Sequence, residues 1–593
     1  MKVDTFIRKY WRDILGLVPI IILSSFLRLD NIRGYQVFLG DQGRDVLVVK
    51  RMIVDGDWTF IGPTASVGGF HLGPLYYYMM LPALWLSNLD PVGPAIMVAV
   101  FSILTNVLIY AYARKFVNLT AAIIAGSLFA VSHLVVEYAR SSWNPNILPF
   151  FSVLLIWCWT EVFSQSTKKT LGWFFLIGLI LGSVIQLHYA ALILIFMSVA
   201  LYLLYITKQL FSHSIRPWKS FLVQVTAIIL GFTLILFPFI GFEIKNNFPN
   251  TCGILRSTNL YEPIAKQNII AQAAYDLGLT KNFVSVCDRN LLGRFGEGIF
   301  ENGYPFEFLV RDVSSRLFLR LVAGNDTAVM AIIYAIVFIG LLSGLYRLLA
   351  SLILYVSTTA KKGTVIEYLS EYIKDTPHKK FLSVAIVMAM YWLFGVGWWG
   401  FYKKSIFDYY FSYMYPLPIL TFAITSALII HMYSRRLFKA NYFIRAGKIA
   451  LWGFVFWLVY VNIHSVKTMP PGNQVDRAEQ VAKDIIEAKG PGDYNFALIT
   501  EGNSDHAYRY FLEIKGYKPI PIDERVTDQL MVLCELDTRT QVCEPQGNSS
   551  WEVAGFGPAS IVGEWITIGW PLYRLQHIDE EKWRIGFPAQ KDG

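Results

Sequence analysis

Residues 92–113 read VGPAIMVAVFSILTNVLIYAYA, with no Asp, Glu, Lys, Arg or His before Arg114. The hydrocarbon core of a bilayer is roughly 30 Å thick and takes about 20 helical residues to cross. Lipid is therefore the natural solvent of this stretch. Comparable runs recur as far as Ile463, about eleven in all by length and continuity. They cover Ile14 to Leu27, Val92 to Ala113, Leu119 to Val136, Ile147 to Phe163, Leu171 to Leu187, Ala190 to Ile206, Phe221 to Phe242, Ala328 to Leu349, Phe381 to Gly400, Tyr413 to Ile430 and Ile449 to Ile463. The 593-residue chain is 54% hydrophobic and 16% charged, with a mean hydropathy of +0.44. That is more apolar surface than a water-soluble fold of this length needs.

The formal charge of +9 is not gathered into one basic tract, which excludes a nucleic-acid-binding arm. It follows topology instead, because short cytoplasmic loops retain Lys and Arg. One alternation fits Lys2, Arg8, Lys9 and Arg12, then Arg114 and Lys115, Lys168 and Lys169, Lys208, Arg216 and Lys219, the cluster Lys361 to Lys380, and the cluster Arg435 to Lys448. It predicts a multi-pass protein of the plasma (inner) membrane with a cytoplasmic N-terminus and everything after about Thr468 outside. The first run has no small-residue cleavage site and reads as an uncleaved anchor.

Composition divides the chain into a membrane region, 1–468, and a soluble extracytoplasmic domain, 469–593, richer in Asp, Glu, Pro and Gly. In the domain, Asp476 to Lys489 and Asp505 to Lys515 read as helices, and Phe496 to Thr500, Leu530 to Leu536 and Ile561 to Ile568 as strands, a small α/β unit. Cys252, Cys287, Cys534 and Cys543 all fall outside, where disulfides persist. The short loop makes Cys534 with Cys543 the favoured pair over unpaired small residues.

Two long outer loops, Arg28 to Pro91 and Glu243 to Thr327, are where function is expected. The first holds Asp41-Gln42-Gly43-Arg44-Asp45, then an interfacial helical stretch, Val46 to Val54, interrupted by Lys50 and Arg51. After Asp55-Gly56-Asp57 and a Gly-rich stretch comes His71-Leu72-Gly73-Pro74-Leu75-Tyr76-Tyr77-Tyr78, which opens a segment too short and aromatic for a full crossing. Asp41 and Asp45 share one helical face with Arg44 beside them. A carboxylate there can serve as general base or ligate a divalent cation, with the arginine steadying a phosphate. The plainer alternative is a capping Asp41 in a local surface network. Glu137 and Arg140 end the third run, His188 and Tyr189 the fifth, and Lys403, Lys404, Asp408, Tyr409 and Tyr410 precede the tenth. Such edge groups can equally be snorkelling anchors or, for His188, a structural hydrogen-bonding group.

An acidic motif soon after the first span, an interfacial helix closing on Asp55-Gly56-Asp57-Trp58 and the Gly73-Pro74-Leu75-Tyr76-Tyr77 segment together resemble the GT-C superfamily. The pattern is similar to the protein O-mannosyltransferase and lipid A aminoarabinose transferase group, over Met1 to Thr468 and most strongly between Leu27 and Pro149. Where many members have Asp-Glu, this chain has Asp41-Gln42, with Asp45 one turn later. The resemblance implies a GT-C-like polytopic α-helical fold with interfacial helices in the first outer loop. It also implies transfer of a sugar from a polyprenyl-phosphate donor to a protein, lipid or glycan acceptor at the outer face. On that reading Asp41, Asp45 and Glu137 are the candidate acids, Asp41 and Glu137 the candidate ligands of a divalent metal. Arg44, His71, Arg140, His188, Tyr189, Lys403, Lys404 and Tyr409 are the candidates for substrate and phosphate. A transporter or lipid-linked-sugar flippase is the rival, and a non-catalytic scaffold the third reading. The near absence of mid-span charge, with polar clusters gathered at one surface, favours surface chemistry over transport.

Overall fold

The computed structural model describes residues 3–65, 70–164, 170–211, 217–257, 312–359, 376–401, 406–432, 441–536 and 541–589. The apolar runs form helices because a backbone in lipid must satisfy its own hydrogen bonds. In chain order these are α1 (Val3–Leu29), α2 (Gly40–Val54), α3 (Leu75–Leu86), α4 (Val92–Phe116), α5 (Leu119–Val131), α6 (His133–Ala139), α7 (Leu148–Ser164), α8 (Leu171–Leu187), α9 (Ile193–Phe211), α10 (Pro217–Lys245), α11 (Pro249–Ser257), α12 (Ser314–Leu321), α13 (Met330–Thr359), α14 (Thr376–Gly397), α15 (Pro416–Met432) and α16 (Asn441–Thr468). Among the described residues seven helices are long and apolar enough to cross a membrane, and nine if each of two bent pairs is one span. The remaining two expected runs fall on α1 and on α8, the latter a shorter apolar helix.

The third run differs from the expected single helix. It breaks at Ser132, where α5 and α6 meet at 56°. Both broken ends are sealed by protein groups. Arg28, fully buried, donates to the carbonyls of Ala130 (2.8 Å) and Phe129 (3.0 Å) and to Ser102 Oγ (2.8 Å), capping the C-terminal end of α5. From α16, Asn462 accepts from the freed His133 N–H (3.2 Å) and donates to Val322 O (3.0 Å). Unsatisfied carbonyls at a helix C-terminus attract a cation. The tenth run is also bent, by 51°, between the 3-10 segment Asp408–Met414 and the helix that follows.

Gly178 and Gly182 on α8 form a G-x-x-x-G face. A Cβ on Gly178 would collide with the Ile228 carbonyl of α10, so the two backbones touch, the usual way lipid-embedded helices gain packing without a hydrophobic drive.

After α16 the chain forms α17 (Gln474–Ala488), β1 (Asn495–Thr500), α18 (His506–Ile514), β2 (Gln529–Glu535), β3 (Ala559–Thr567) and β4 (Trp570–His577). The sheet order is β1-β2-β4-β3, with β1 and β2 parallel and the other two pairings antiparallel. Strand β4 was not expected from the sequence. It pairs with β3 through a two-residue turn, Ile568 and Gly569, both at positive φ (45° and 93°). That turn matches strand twist, but it lacks the Asn-Gly signature by which such hairpins are recognised. Cys534 and Cys543 are joined in a disulfide, with Cα atoms 6.1 Å apart.

Candidate functional site

The first-loop motif becomes the opening turn of α2. Gln42, not Asp41, caps it: the Gln42 side chain accepts from Leu39 N–H at 3.1 Å. Asp41 is thereby left half-exposed, with Arg44 Nη1 3.0 Å from its Oδ1. One turn on, Asp45 is fully buried. Its Oδ1 accepts from Arg44 Nη2 (2.8 Å) and Nε (3.0 Å) and from the Tyr77 hydroxyl of α3 (3.1 Å), while Oδ2 has no partner. Burial raises the Asp45 carboxyl to about 6, against the lowering pull of Arg44. The flanking carboxylates hold Arg44 above its ordinary value despite desolvation, so it is a permanent cation. The arrangement presents one accessible carboxylate, one fixed guanidinium and one buried carboxylate that fixes it.

The C-terminal domain sits directly on this turn. Asn503 Oδ1 accepts from Gly40 N–H (2.9 Å), and Gln474 Oε1 from Phe38 N–H (2.8 Å). A Cβ on Gly43 would run into the backbone of Ala507 at the start of α18, so only glycine lets the helices meet there. Arg33 pairs with Asp90, Asp476 and Glu479, and Arg51 with Glu513 (3.0 Å).

Two clefts share Val48 and Arg51 of α2 as a common wall. One, of about 800 Å3, is apolar and aromatic: Trp58, Phe60, Phe237 and Phe242 line it, with Lys245 and Arg51 at its polar edge, and it reaches the end of α10. The other, of about 430 Å3, lies between α2 and the C-terminal domain and includes Arg44, His506 and Arg509.

The other expected residues fall elsewhere. His71 lies beside Tyr189: the Tyr189 hydroxyl donates to His71 O (2.6 Å), and His71 N–H donates to Asn250 Oδ1 (2.6 Å). Burial lowers the His71 imidazole from its ordinary value. Asn250 is held in turn by the buried Glu243 carboxylate, which accepts from its amide at 2.8 Å. His188 accepts from Ala190 N–H (3.1 Å) as a helix cap and packs against Tyr409 and Tyr410, while Tyr409 also lies on Trp143 with ring centres 4.3 Å apart. Arg140 is buried, donating through Nε to Leu27 O (2.9 Å) with its guanidinium 4.0 Å from the Tyr35 ring centre. It joins the ends of α1 and α6. Lys403 and Lys404 lie outside the described residues.

Glu137 belongs to a second charged network at the same end of the bundle. Its carboxylate is 3.9 Å from His133 Nδ1 and feels the charges of Arg320 and Asp408. Asp408 is gripped by Arg316 and Arg320 of α12, both at 2.7 Å. Sequence reasoning passed over Arg316, Arg320 and Lys245 and treated Arg51 only as an interruption of an apolar helix. On the topology that the charge rule predicts, all four lie on the side poor in cations, which is the available signal.

Asp41 and Glu137 lie in separate networks with no partner in common among the described residues. Among the described residues no group of three or more His, Cys, Asp or Glu side chains is placed to hold a metal ion. At α2 Arg44 binds Oδ1 of both carboxylates, so a divalent cation there would need ligands beyond these two side chains.

Fold and site together describe a multi-pass membrane protein similar to GT-C superfamily glycosyltransferases, with a charged opening turn of α2 roofed by a C-terminal domain. Residues 73–241, from just before α3 through most of α10, match the family described as dolichyl-phosphate-mannose-protein mannosyltransferase. The fold is also that of ArnT from Cupriavidus metallidurans, solved bound to undecaprenyl phosphate: 12% identity over 95% of this chain and 97% of that one, with a TM-score of 0.51. The oligosaccharyltransferase AglB from Archaeoglobus fulgidus, solved with an inhibitory peptide and a dolichol-phosphate, is a looser likeness. It is 13% identical over 88% of this chain and 66% of that one, with a TM-score of 0.46. No curated protein sequence matches the chain.

Proposed function

We propose that the protein transfers a sugar from a polyprenyl-phosphate donor to an acceptor at the outer face of the membrane, with its N-terminus cytoplasmic and its C-terminal domain outside. The observation behind this reading is the accessible Asp41 carboxylate on a helix that walls both an apolar cleft and a polar one. The first suits a prenyl chain, with Arg51 and Lys245 at its polar rim; the second lies under the domain, is open to an acceptor and includes Arg44, the partner of Asp41. Asp41 takes the proton from an acceptor hydroxyl as its oxygen attacks the anomeric carbon. The bond from that carbon to the phosphate oxygen breaks, and the phosphate leaves with the electron pair. A phosphate needs less protonation than an alkoxide would, so cations around it suffice. Asp45 and Tyr77 position Arg44, and Arg44 positions Asp41. Glu137, near Arg320, is the second candidate acid.

Purified protein incubated with a panel of radiolabelled polyprenyl-phosphate sugars, with and without chelator, tests this. Release or transfer of label from at least one donor is expected, and the chelator arm reads whether it depends on a metal ion. Silence across the panel removes the reading. The two bent spans favour one rival, a transporter or lipid-linked-sugar flippase, since such proteins use broken helices. The break at Ser132, however, is closed by Arg28 and Asn462 rather than left to a ligand. Movement of intact donor across vesicles without bond cleavage would establish that rival.

A further inference from the structure

Resting on that reading, we infer that the cleft between α2 and the C-terminal domain is a subsite for a hydroxyl-rich acceptor, a glycan, so that the C-terminal domain selects what is glycosylated. Its volume, about 430 Å3, falls in the range of small-molecule sites. Its chemistry is mixed in sign. Arg44, Arg51, Arg509 and Lys518 bring N–H donors and Glu524 brings acceptor oxygens, while the buried Glu513 side chain is already held by Arg51 and Lys50. The arginines carry acidic partners of their own: Arg44 has Asp41 and Asp45, Arg51 has Glu513, and Arg509 has Asp505. The cleft thus has little net field with which to hold an anion. What remains is a ring of fixed donors and acceptors, and a sugar hydroxyl, which both donates and accepts, answers both kinds. Leu47, Pro519 and Pro521 add apolar surface for the C–H face of a ring. Arg44, which lines the cleft, also binds Asp41 and so links the two.

A sugar ring in this cleft could belong to the acceptor or to the donor, and the experiment separates the two. The full-length protein in lipid nanodiscs is tested for binding to immobilised oligosaccharides, to a matched set of peptides, and to tritiated undecaprenyl phosphate with and without attached sugars. Lys518 and Glu524 are exposed on the cleft's edge and take no part in the transfer step, so Lys518→Ala and Glu524→Gln should fold normally. The expected result is oligosaccharide binding that weakens at least tenfold in the double variant, with undecaprenyl-phosphate binding unchanged, sugar-loaded or bare. Weakened binding of the sugar-loaded lipid alone would assign the ring to the donor and overturn the inference. Peptide binding sensitive to the same variants, or no oligosaccharide binding, would also overturn it. In each case retained binding of the bare lipid leaves the donor reading standing, whereas its loss in the unmodified protein counts against that reading.

Discussion

Two charged networks occupy the same end of the helix bundle, and they are built differently. At α2, Arg44 bridges a half-exposed carboxylate and a fully buried one, beside a cleft and beneath the C-terminal sheet region. Near the bent spans, Asp408 is clamped by two arginines while Glu137 leans toward His133. The first leaves Asp41 about as open as the second leaves Glu137, and it includes an arginine, Arg44, that lines a cleft. The second binds its most buried acid from two sides and ties α12 to the segment before α15. Charge at a membrane edge is therefore not informative by itself; what sets the first network apart is that one of its members, Arg44, lines a cleft.

Substituting the two open acids gives the sharpest contrast. Asp41→Asn should lower transfer by at least about 100-fold, the usual scale for loss of a general base. Glu137→Gln should cost less than about tenfold, both measured by label transfer with membrane insertion checked. A reversed ranking would move the reaction to the second network. Next in size is the seam beneath the C-terminal domain. Gly43→Leu should drive α18 off α2, destabilising the protein by about 1–3 kcal/mol by overpacking, visible as a lower thermal midpoint with reduced transfer. An unchanged midpoint would mean the domain does not rest there.

How far the sequence reveals this arrangement depends on the range of the contacts involved. The apolar runs, α2, α17 and α18 are visible because their periodicity or composition is local. The break at Ser132 is not, since the chain stays apolar across it and the cause lies in Arg28 and Asn462, distant in sequence. Asp41 and Arg44 could be named as a pair from their spacing, but the accessible and buried roles of Asp41 and Asp45 could not. Those roles follow from Tyr77 and from the packing above α2. Gly43 gave no sign of its function because its neighbour, Ala507, belongs to the other domain.

A smaller effect should appear in pH dependence. Asp45 is raised by burial to about 6, so the fold disfavours its carboxylate form. Its contribution to stability is fully present below about pH 4 and is lost as pH rises through about 6. Asp45→Asn should flatten this part of the stability profile in thermal unfolding at stepped pH. The same variant should lose the fall in transfer that accompanies protonation below about pH 6, where Asp45 releases Arg44. An identical profile in the variant would remove Asp45 from the positioning role. Smallest of all, Arg33→Ala deletes partly exposed ion pairs to Asp90, Asp476 and Glu479 and should cost no more than about 1 kcal/mol per pair, leaving transfer intact. A larger loss would show that the seam depends on these pairs more than on the glycine contact.

The most direct test of where the reaction occurs is to photocrosslink undecaprenyl phosphate, carrying a diazirine near its headgroup, to the purified protein and map the labelled residues. The donor placement proposed here predicts label on Trp58 to Ile61 and on Phe237 to Asn246, around Arg51 and Lys245. Label concentrated on Arg316, Arg320 and the segment Asp408–Met414 would contradict it and place the lipid phosphate in the second network.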